Sequence, residues 1–189
     1  MNPITHFLIG GIVANCADLN RRERTIVTVA AVIPDVDGLG IVVDLITKNT
    51  LYPTELWGNY HHVFCHNLPF CLVVMTVSFF LTRRRFVTPL LVFVAFHLHL
   101  LGDIVGARGP DGEQWPIEYL WPFPDSLSLV WGGQWGLNAW PNFAITIFAL
   151  VVTFYFGWKK GRSPLEIFSK RADGAFVASL RGRFGEPRL

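Results

Sequence analysis

The chain has 189 residues, of which 51% are hydrophobic and only 16% are charged, and its mean hydropathy is +0.38. A chain this apolar is untypical of a soluble globular domain and favours a helical membrane protein. Its three cysteines lack C-x-x-C spacing and therefore predict neither a disulfide framework nor a zinc ribbon. The net charge of +2 is unevenly distributed, because residues 159–189 contain eight of the sixteen Lys and Arg residues but only three acidic residues.

The apolar segments divide the chain into predicted helices. Residues 4–18 form a short first segment whose arginines follow it, so we expect a retained helix and not a cleaved signal peptide. Residues 25–47 are interrupted by "PDVDG" after Ile33. Residues 67–82, 86–105 and 138–158 approach the roughly 20 residues of a spanning helix. These segments predict an all-α, polytopic membrane protein with about four to five transmembrane or partly re-entrant helices.

Positive charges beside the helix ends predict the orientation. The turns "RRER", "RRR" and "KKGR" fall on one side of the membrane if every apolar segment crosses it. The linker 106–137 then lies on the other side, and its charged residues are Arg108, Asp111, Glu113, Glu118 and Asp125. We therefore place the basic turns in the cytoplasm and this linker outside.

Ionisable residues lie within or beside the apolar segments of the first half. They are His6, His61, His62, His66, His97 and His99, with Asp35, Asp37 and Asp103. Such groups cost a few kcal/mol each at membrane depth, so they usually face a partner or a water-filled cavity. Their number favours a functional cluster.

Two sequence elements supply most of the histidines. In "HLHLLGD", His99 and Asp103 share one helix face, whereas His97 points about 200° away from His99. A simple hydrogen bond between helices would explain the His99–Asp103 pair equally well. In "YHHVFCHN", His61, His62 and His66 lie within six residues, which favours a metal or proton role over an interfacial one.

The "PDVDG" element follows a helix-breaking proline and precedes a glycine. Its two carboxylates, Asp35 and Asp37, are suited to bridge two ions, or to bind one ion and orient a water. A solvated Pro-Asp turn is the alternative. His6 lies at the start of the first apolar segment. In the predicted topology it lies at the non-cytoplasmic end of its segment, as His61, His66, His99 and Asp103 do.

Mixed histidine and carboxylate ligands suit zinc, manganese or iron. The candidate ligands exceed the four of one closed structural site, since there are seven of them: His6, Asp35, Asp37, His61, His66, His99 and Asp103. A two-metal centre would activate water and stabilise both the attacking and the leaving oxygen of a phosphoester. The sequence contains no Gly-rich phosphate loop, G-x-S-x-G elbow or H-E-x-x-H helix.

The ordered motifs "THFLIG", "PDVD", His-x4-His, "HLLGD" and "WPF" resemble the YdjM-like family of bacterial membrane-bound, metal-dependent hydrolases. That family is related to zinc-dependent phospholipase C and P1-type nucleases. The resemblance covers roughly residues 4–125 and implies zinc as the metal. The metal-site residues it implies are His6, Asp35, Asp37, His61, His66, His99 and Asp103. The chain departs from the family's His-Arg-Gly-x-Thr-His-Ser element, since "HHVFCHN" lacks the arginine, and His62 there is either an extra ligand or a polar replacement.

We therefore predict a multi-pass protein of the bacterial inner membrane. Residues 1–158 form a membrane-embedded domain with a metal site near the non-cytoplasmic face, and residues 159–189 form a basic cytoplasmic tail. The tail is either an amphipathic segment on the lipid surface or a disordered, solvated one.

The predicted reaction is hydrolysis of a phosphoester in a lipid or lipid-linked substrate, with Asp35 or Asp37 orienting the water or acting as general base. The alternative is a transporter of divalent metal ions or protons that uses the same ligands. A structural metal site is a third possibility. No feature suggests nucleic-acid binding.

Overall fold

The computed structural model describes residues 1–109, 112–124 and 127–187, and within them the fold is almost entirely helical. The helices are α1 (Pro3–Ala14), α2 (Arg21–Ala30), α3 (Gly40–Thr47), α4 (Leu56–Tyr60), α5 (Leu68–Leu81), α6 (Val87–Gly106), α7 (Trp140–Lys160) and α8 (Lys170–Phe184). Two 3₁₀ segments cover Ile33–Leu39 and Pro164–Ile167, and β1 (Ile117–Glu118) pairs antiparallel with β2 (Ser128–Leu129). The all-α prediction is confirmed. Asp111 and Asp125, which contributed to the predicted orientation, lie outside the described residues.

Asparagine side-chain caps fix the starts of three helices. Asn2 and Asn67 accept hydrogen bonds from backbone amides in the first turns of α1 and α5, and each of these helices has a proline in that turn. Asn20 and Glu23 form a capping box at the start of α2. Because asparagine caps and early prolines satisfy or remove unpaired amides, these boundaries follow from the local sequence.

Two described helices, α6 and α7, are long and apolar enough to cross a membrane. A third candidate is the pair formed by α2 and residues 33–47, which is bent by 51° at the break between Ala30 and Ile33. The helices α1 and α5 are apolar but have 12 and 14 residues. Fourteen residues rise about 21 Å, less than the roughly 30 Å hydrocarbon core, so α5 is shorter than the span predicted for it.

Helix α1 lies at the centre of the packing and contacts α2, α6 and α7, while α5 packs on α6. Small residues allow the closest approach. A Cβ atom on Gly10 would lie 2.6 Å from the Ala31 Cβ and 2.7 Å from the Thr28 carbonyl oxygen. The buried apolar cluster behind this contact consists of Val13, Ala14, Leu19, Val27, Ala30, Ala31, Val92 and Ala95.

The three basic segments, "RRER", "RRR" and "KKGR", lie close together at one end of the helices. The Glu23 carboxylate accepts hydrogen bonds from the amides of Arg83 and Arg84, each at 3.0 Å. The Arg24 guanidinium donates to both oxygens of Glu166, at 2.5 and 2.6 Å. These bonds join the first turn of α2, the turn before α6 and the segment after α7.

The segment after α7 is folded against the rest of the protein. Asp173 accepts hydrogen bonds from the amide and hydroxyl of Ser163, and Val177 and Leu180 are buried. Gly161 turns the chain between α7 and this segment with φ of 66°, a left-handed conformation that suits glycine. Residues 164–184 are therefore ordered and packed, and the disordered alternative is wrong for them.

Candidate metal centre

The predicted site residues lie at the opposite end of the helices from the basic turns. His6 comes from the first turn of α1, His66 precedes α5, and His99 and Asp103 lie in the last turns of α6. The 3₁₀ segment Ile33–Leu39, which has Pro34 near its start, brings Asp35 to the same place. The bend after α2 thus carries carboxylates to helix ends that are distant in sequence.

A first group of possible ligands consists of Asp35, His66, His99 and Asp103, whose nearest donor atoms all lie within 4.8 Å of one another. The Asp103 Oδ2 is 3.0 Å from the His99 Nε2 and 3.6 Å from the His66 Nε2. The Asp35 Oδ1 is 3.7 Å from the His99 Nε2 and 4.0 Å from the His66 Nε2. All four groups are buried or largely buried.

Hydrogen bonds at the Nδ1 atoms of His66 and His99 direct the Nε2 atoms of the two rings toward this group. His99 donates from Nδ1 to the Ala31 carbonyl oxygen at 2.9 Å, and His66 donates from Nδ1 to Asp37 at 3.0 Å. In a neutral imidazole with a hydrogen on Nδ1, the other nitrogen carries only a lone pair. The two Nε2 atoms lie 3.1 Å apart. Four electron-pair donors therefore converge, and the group needs a cation or a proton to hold it together.

A second group of possible ligands consists of Asp37, His61 and His66. The Asp37 carboxylate accepts hydrogen bonds from His61 Nδ1 at 2.8 Å, from His66 Nδ1 at 3.0 Å and from the Cys65 amide at 3.1 Å. His66 therefore belongs to both groups. A carboxylate that binds the outer nitrogen of a metal-binding histidine orients that ring, which is the position that Asp37 occupies relative to His66.

His6 belongs to neither ligand group, although it touches the first one. Its Nε2 lies 3.2 Å from the Asp103 Oδ1, and its ring lies 3.8 Å from the His99 ring. Its Nδ1 is buried without a described hydrogen-bond partner. The backbone nitrogen of Met1 also contacts the Asp103 Oδ1, a contact that sequence reasoning did not predict.

The other polar residues of the two histidine elements take different positions. His97 points away from the cluster, as helical spacing predicts, and hydrogen-bonds to the Phe93 carbonyl and the Tyr119 hydroxyl. His62 is 4% exposed, and its burial lowers its pKa well below the ordinary value. The ring is therefore neutral at pH 7.

Electrostatics distinguish His66 from the neighbouring cysteine. Burial alone would lower the pKa of His66, but hydrogen bonds to Asp103 and Asp37 raise it to about 9. A proton on His66 would offset part of the negative charge of these carboxylates. Burial and then the Asp37 charge raise the pKa of Cys65 to about 11, so this residue is a thiol at neutral pH.

Two cavities border the cluster. One of about 330 Å³ is lined by Asp35 and Asp103 together with Pro3, Leu39 and Leu137. A second of about 490 Å³ has a polar wall that includes Asn59, Glu113 and Gln114. Four residues line both cavities, namely Trp57, His61, His62 and Trp115. The first cavity gives access to the carboxylates, and the second adjoins it on the polar side.

Polar residues outside the predicted set hold the cluster in place. Asn67 donates to the carbonyls of Val63 and Phe64 while it caps α5, which fixes the turn that carries His66. Gln134 is buried, donates to the Asp103 carbonyl and accepts from the Trp115 amide. Sequence reasoning missed both residues because a lone amide side chain gives no signal of its long-range partners.

The fold and the site define a helical membrane protein with a buried His/Asp cluster that could hold a metal ion. The model of the YdjM inner membrane protein family matches residues 1–169 of the chain. The protein therefore belongs to the YdjM inner membrane protein family. No curated protein and no solved structure matches the chain.

Proposed function

We propose that the protein is a membrane-bound, metal-dependent hydrolase that cleaves a phosphoester in a lipid or lipid-linked substrate. Asp35, His66, His99 and Asp103 hold one divalent ion, with zinc the expected metal and manganese or iron as alternatives. His61 and Asp37, with the shared His66, provide the nearest groups for a second ion or support the first. His6, the remaining predicted site residue, contacts the first group through its Nε2 atom, which lies near the Asp103 Oδ1.

The convergence of unshared electron pairs carries this proposal. The His66 and His99 Nε2 atoms face each other at 3.1 Å while both Nδ1 atoms donate outward. The adjoining Asp103 carboxylate adds negative charge. Burying these groups without a counter-charge is unfavourable, and a divalent cation neutralises all of them at once. The donor set of imidazoles and carboxylates fits such an ion.

A bound divalent ion would supply a water of lowered pKa and polarise a phosphoryl oxygen. Asp35 is the better general base of the two predicted carboxylates. Its Oδ2 is buried without a described partner, and its side chain lines the 330 Å³ cavity. Asp37 already accepts three hydrogen bonds and is thus placed to orient histidines. In the proposed reaction, Asp35 accepts the proton of the attacking water.

The surroundings of the cavity favour a lipid substrate. Leu39 and Leu137 line the cavity beside Asp35, and Leu39 is 61% exposed on the outer surface. The 3₁₀ segment and α3 continue this apolar surface through Val36, Val42, Leu45 and Ile46, which are all exposed. In a bilayer such a surface contacts acyl chains. A lipid therefore has a direct path from the membrane to the carboxylates.

The proposed orientation places the basic turns and residues 159–189 in the cytoplasm, with the metal site near the non-cytoplasmic face of a multi-pass inner membrane protein. The meeting of the basic turns at one end supports it. Transport is a weaker explanation, because an apolar cluster with Val27 and Val92 fills the space between the metal site and the basic end.

Metal content is the first test. We expect one to two equivalents of zinc, manganese or iron in detergent-purified protein by elemental mass spectrometry, and loss of the metal from a His99→Ala/Asp103→Ala variant. His97→Asn is the matched control, since His97 lies on the same helix but outside the cluster, and it should keep the metal. Absence of metal from wild-type protein purified without chelators would contradict the site.

Hydrolysis is tested next with long-chain phosphomonoester and phosphodiester lipids in mixed micelles. We expect metal-dependent cleavage that the Asp35→Asn variant lowers roughly 100-fold or more, as for a lost general base. Metal-loaded protein that cleaves none of these lipids would overturn the hydrolase proposal and leave the metal site standing. Metal uptake into proteoliposomes would then support transport, and unfolding on chelation would support a structural site.

A further inference from the structure

His62 has an unusual backbone conformation. Its φ is 69°, and within the described residues it is the one residue other than glycine with a positive φ. Non-glycine residues are uncommon in this region, and such conformations concentrate at functional sites, where surrounding contacts hold them. The backbone conformation that places the His62 side chain here therefore costs conformational free energy.

The His62 side chain is also buried with one ring nitrogen, Nδ1, left without a hydrogen-bond partner among the described residues. It is 4% exposed, and its ring lies 4.2 Å from the ring of His61, 4.6 Å from that of His66 and 5.6 Å from that of Trp115. Since a buried, unpaired polar atom destabilises a fold, this histidine is placed for an interaction that the folded chain alone does not provide.

The position of His62 indicates what that partner is. The ring lines both the 330 Å³ cavity, which contains Asp35 and Asp103 among mainly apolar residues, and the 490 Å³ cavity, whose wall includes the polar residues Asn59, Glu113 and Gln114. None of the described residues that line either cavity is a lysine or an arginine. A phosphoester that spans the two cavities therefore finds its hydrogen-bond donors in imidazole, indole and amide groups, and His62 lies where the cavities meet.

We infer that His62 is a substrate-binding residue that donates a hydrogen bond to a phosphoester oxygen, with the apolar chain of the substrate in the smaller cavity and its polar headgroup in the larger one. This inference rests on the proposed function. It extends that proposal by making the substrate an amphipathic phosphoester with a headgroup of substantial size. His62 lies outside both groups of possible ligands, so its role is distinct from metal binding.

The test uses His62→Gly and His62→Asn, because glycine and asparagine tolerate the positive φ. Both variants should keep the wild-type metal content and an equal or higher melting temperature, which a structural role would not allow. Cobalt-loaded protein is titrated with a long-chain alkylphosphonate, and binding is read from the visible spectrum of the metal. We expect His62→Gly to weaken binding roughly 10- to 100-fold, as for one hydrogen bond to a charged group. His62→Asn keeps a donor and should lose less.

With a lipid phosphoester, His62→Gly should raise KM more than it lowers kcat, while the His97→Asn control behaves like wild type. Unchanged phosphonate binding in His62→Gly would overturn the inference, and so would loss of metal, which would make His62 a ligand. If wild-type protein binds the phosphonate but cleaves no lipid, the hydrolase proposal fails, and weaker binding by His62→Gly still supports the contact. A wild-type protein that holds metal but does not bind the phosphonate overturns both.

Discussion

Two aspartates in the same short element take different positions in the fold. Asp35 and Asp37 are separated by one residue, and the sequence does not distinguish their roles. In the structure the Asp37 carboxylate receives hydrogen bonds from His61, His66 and the Cys65 amide. Asp35 instead faces the Nε2 atoms of His66 and His99. The two aspartates differ because their side chains leave the 3₁₀ segment in different directions and therefore meet different partners.

The position of Asp37 predicts an indirect effect on metal binding. An Asp37→Asn variant should bind metal roughly 10- to 100-fold more weakly than wild type, because orienting carboxylates contribute about this much to metal affinity. Competition with a chromophoric chelator gives the two dissociation constants. Asp103→Asn should weaken binding more than Asp37→Asn does. Equal losses in the two variants would identify Asp37 as a direct ligand, and an unchanged affinity would remove its orienting role.

At the scale of elements, the close contact between α1 and α2 determines where His6 and Ala31 lie. Gly10 has no room for a side chain against Ala31 and Thr28. The Ala31 carbonyl, in turn, accepts the hydrogen bond that orients His99. Gly102 plays a similar part between α6 and α1, since a Cβ there would lie 2.9 Å from the His6 Cε1. Helix packing and ligand orientation are therefore coupled.

Gly10→Ala should therefore destabilise the protein and weaken metal binding. Forcing a methyl group into a closely packed interface costs about 1–3 kcal/mol, and the separation of α2 from α1 would also move the Ala31 carbonyl. Thermal unfolding in detergent, with and without added zinc, measures both effects. Gly182→Ala in α8 is the control, since open space surrounds that position, and its melting temperature should not fall. A Gly10→Ala variant as stable as wild type would contradict this packing.

At the scale of the whole molecule, charge and metal ligands are separated to opposite ends. The basic turns are tied together by Glu23 and Glu166, whereas the histidines and aspartates meet at the other end. The helices of the core connect these ends through apolar contacts. In a membrane, this separation would place the two ends in different compartments.

Cys16 provides a native probe of this arrangement, because it is exposed in the turn between α1 and α2 at the basic end. We expect a membrane-impermeant maleimide to label Cys16 in inside-out vesicles but not in intact spheroplasts. A Cys16→Ser variant shows any labelling of Cys65, which is partly buried, whereas Cys71 is buried. Labelling of Cys16 in intact spheroplasts would reverse the proposed orientation and put the metal site on the cytoplasmic side.

The sequence alone determined the features that depend on local spacing and composition. Helical repeat places His99 and Asp103 on one face and turns His97 away, asparagine and proline set helix starts, and clustered arginines mark one end of the helices. The family membership likewise follows from the sequence, since the family model matches residues 1–169.

Only the tertiary structure decided how these elements meet. It divided the predicted ligands into two groups that share His66, left His6 on the edge, and packed residues 164–184 through the ion pair of Arg24 with Glu166. It also placed His62 between two cavities. Each of these features depends on contacts between residues far apart in the chain, and their geometry follows from the packing of whole helices, which local spacing does not specify.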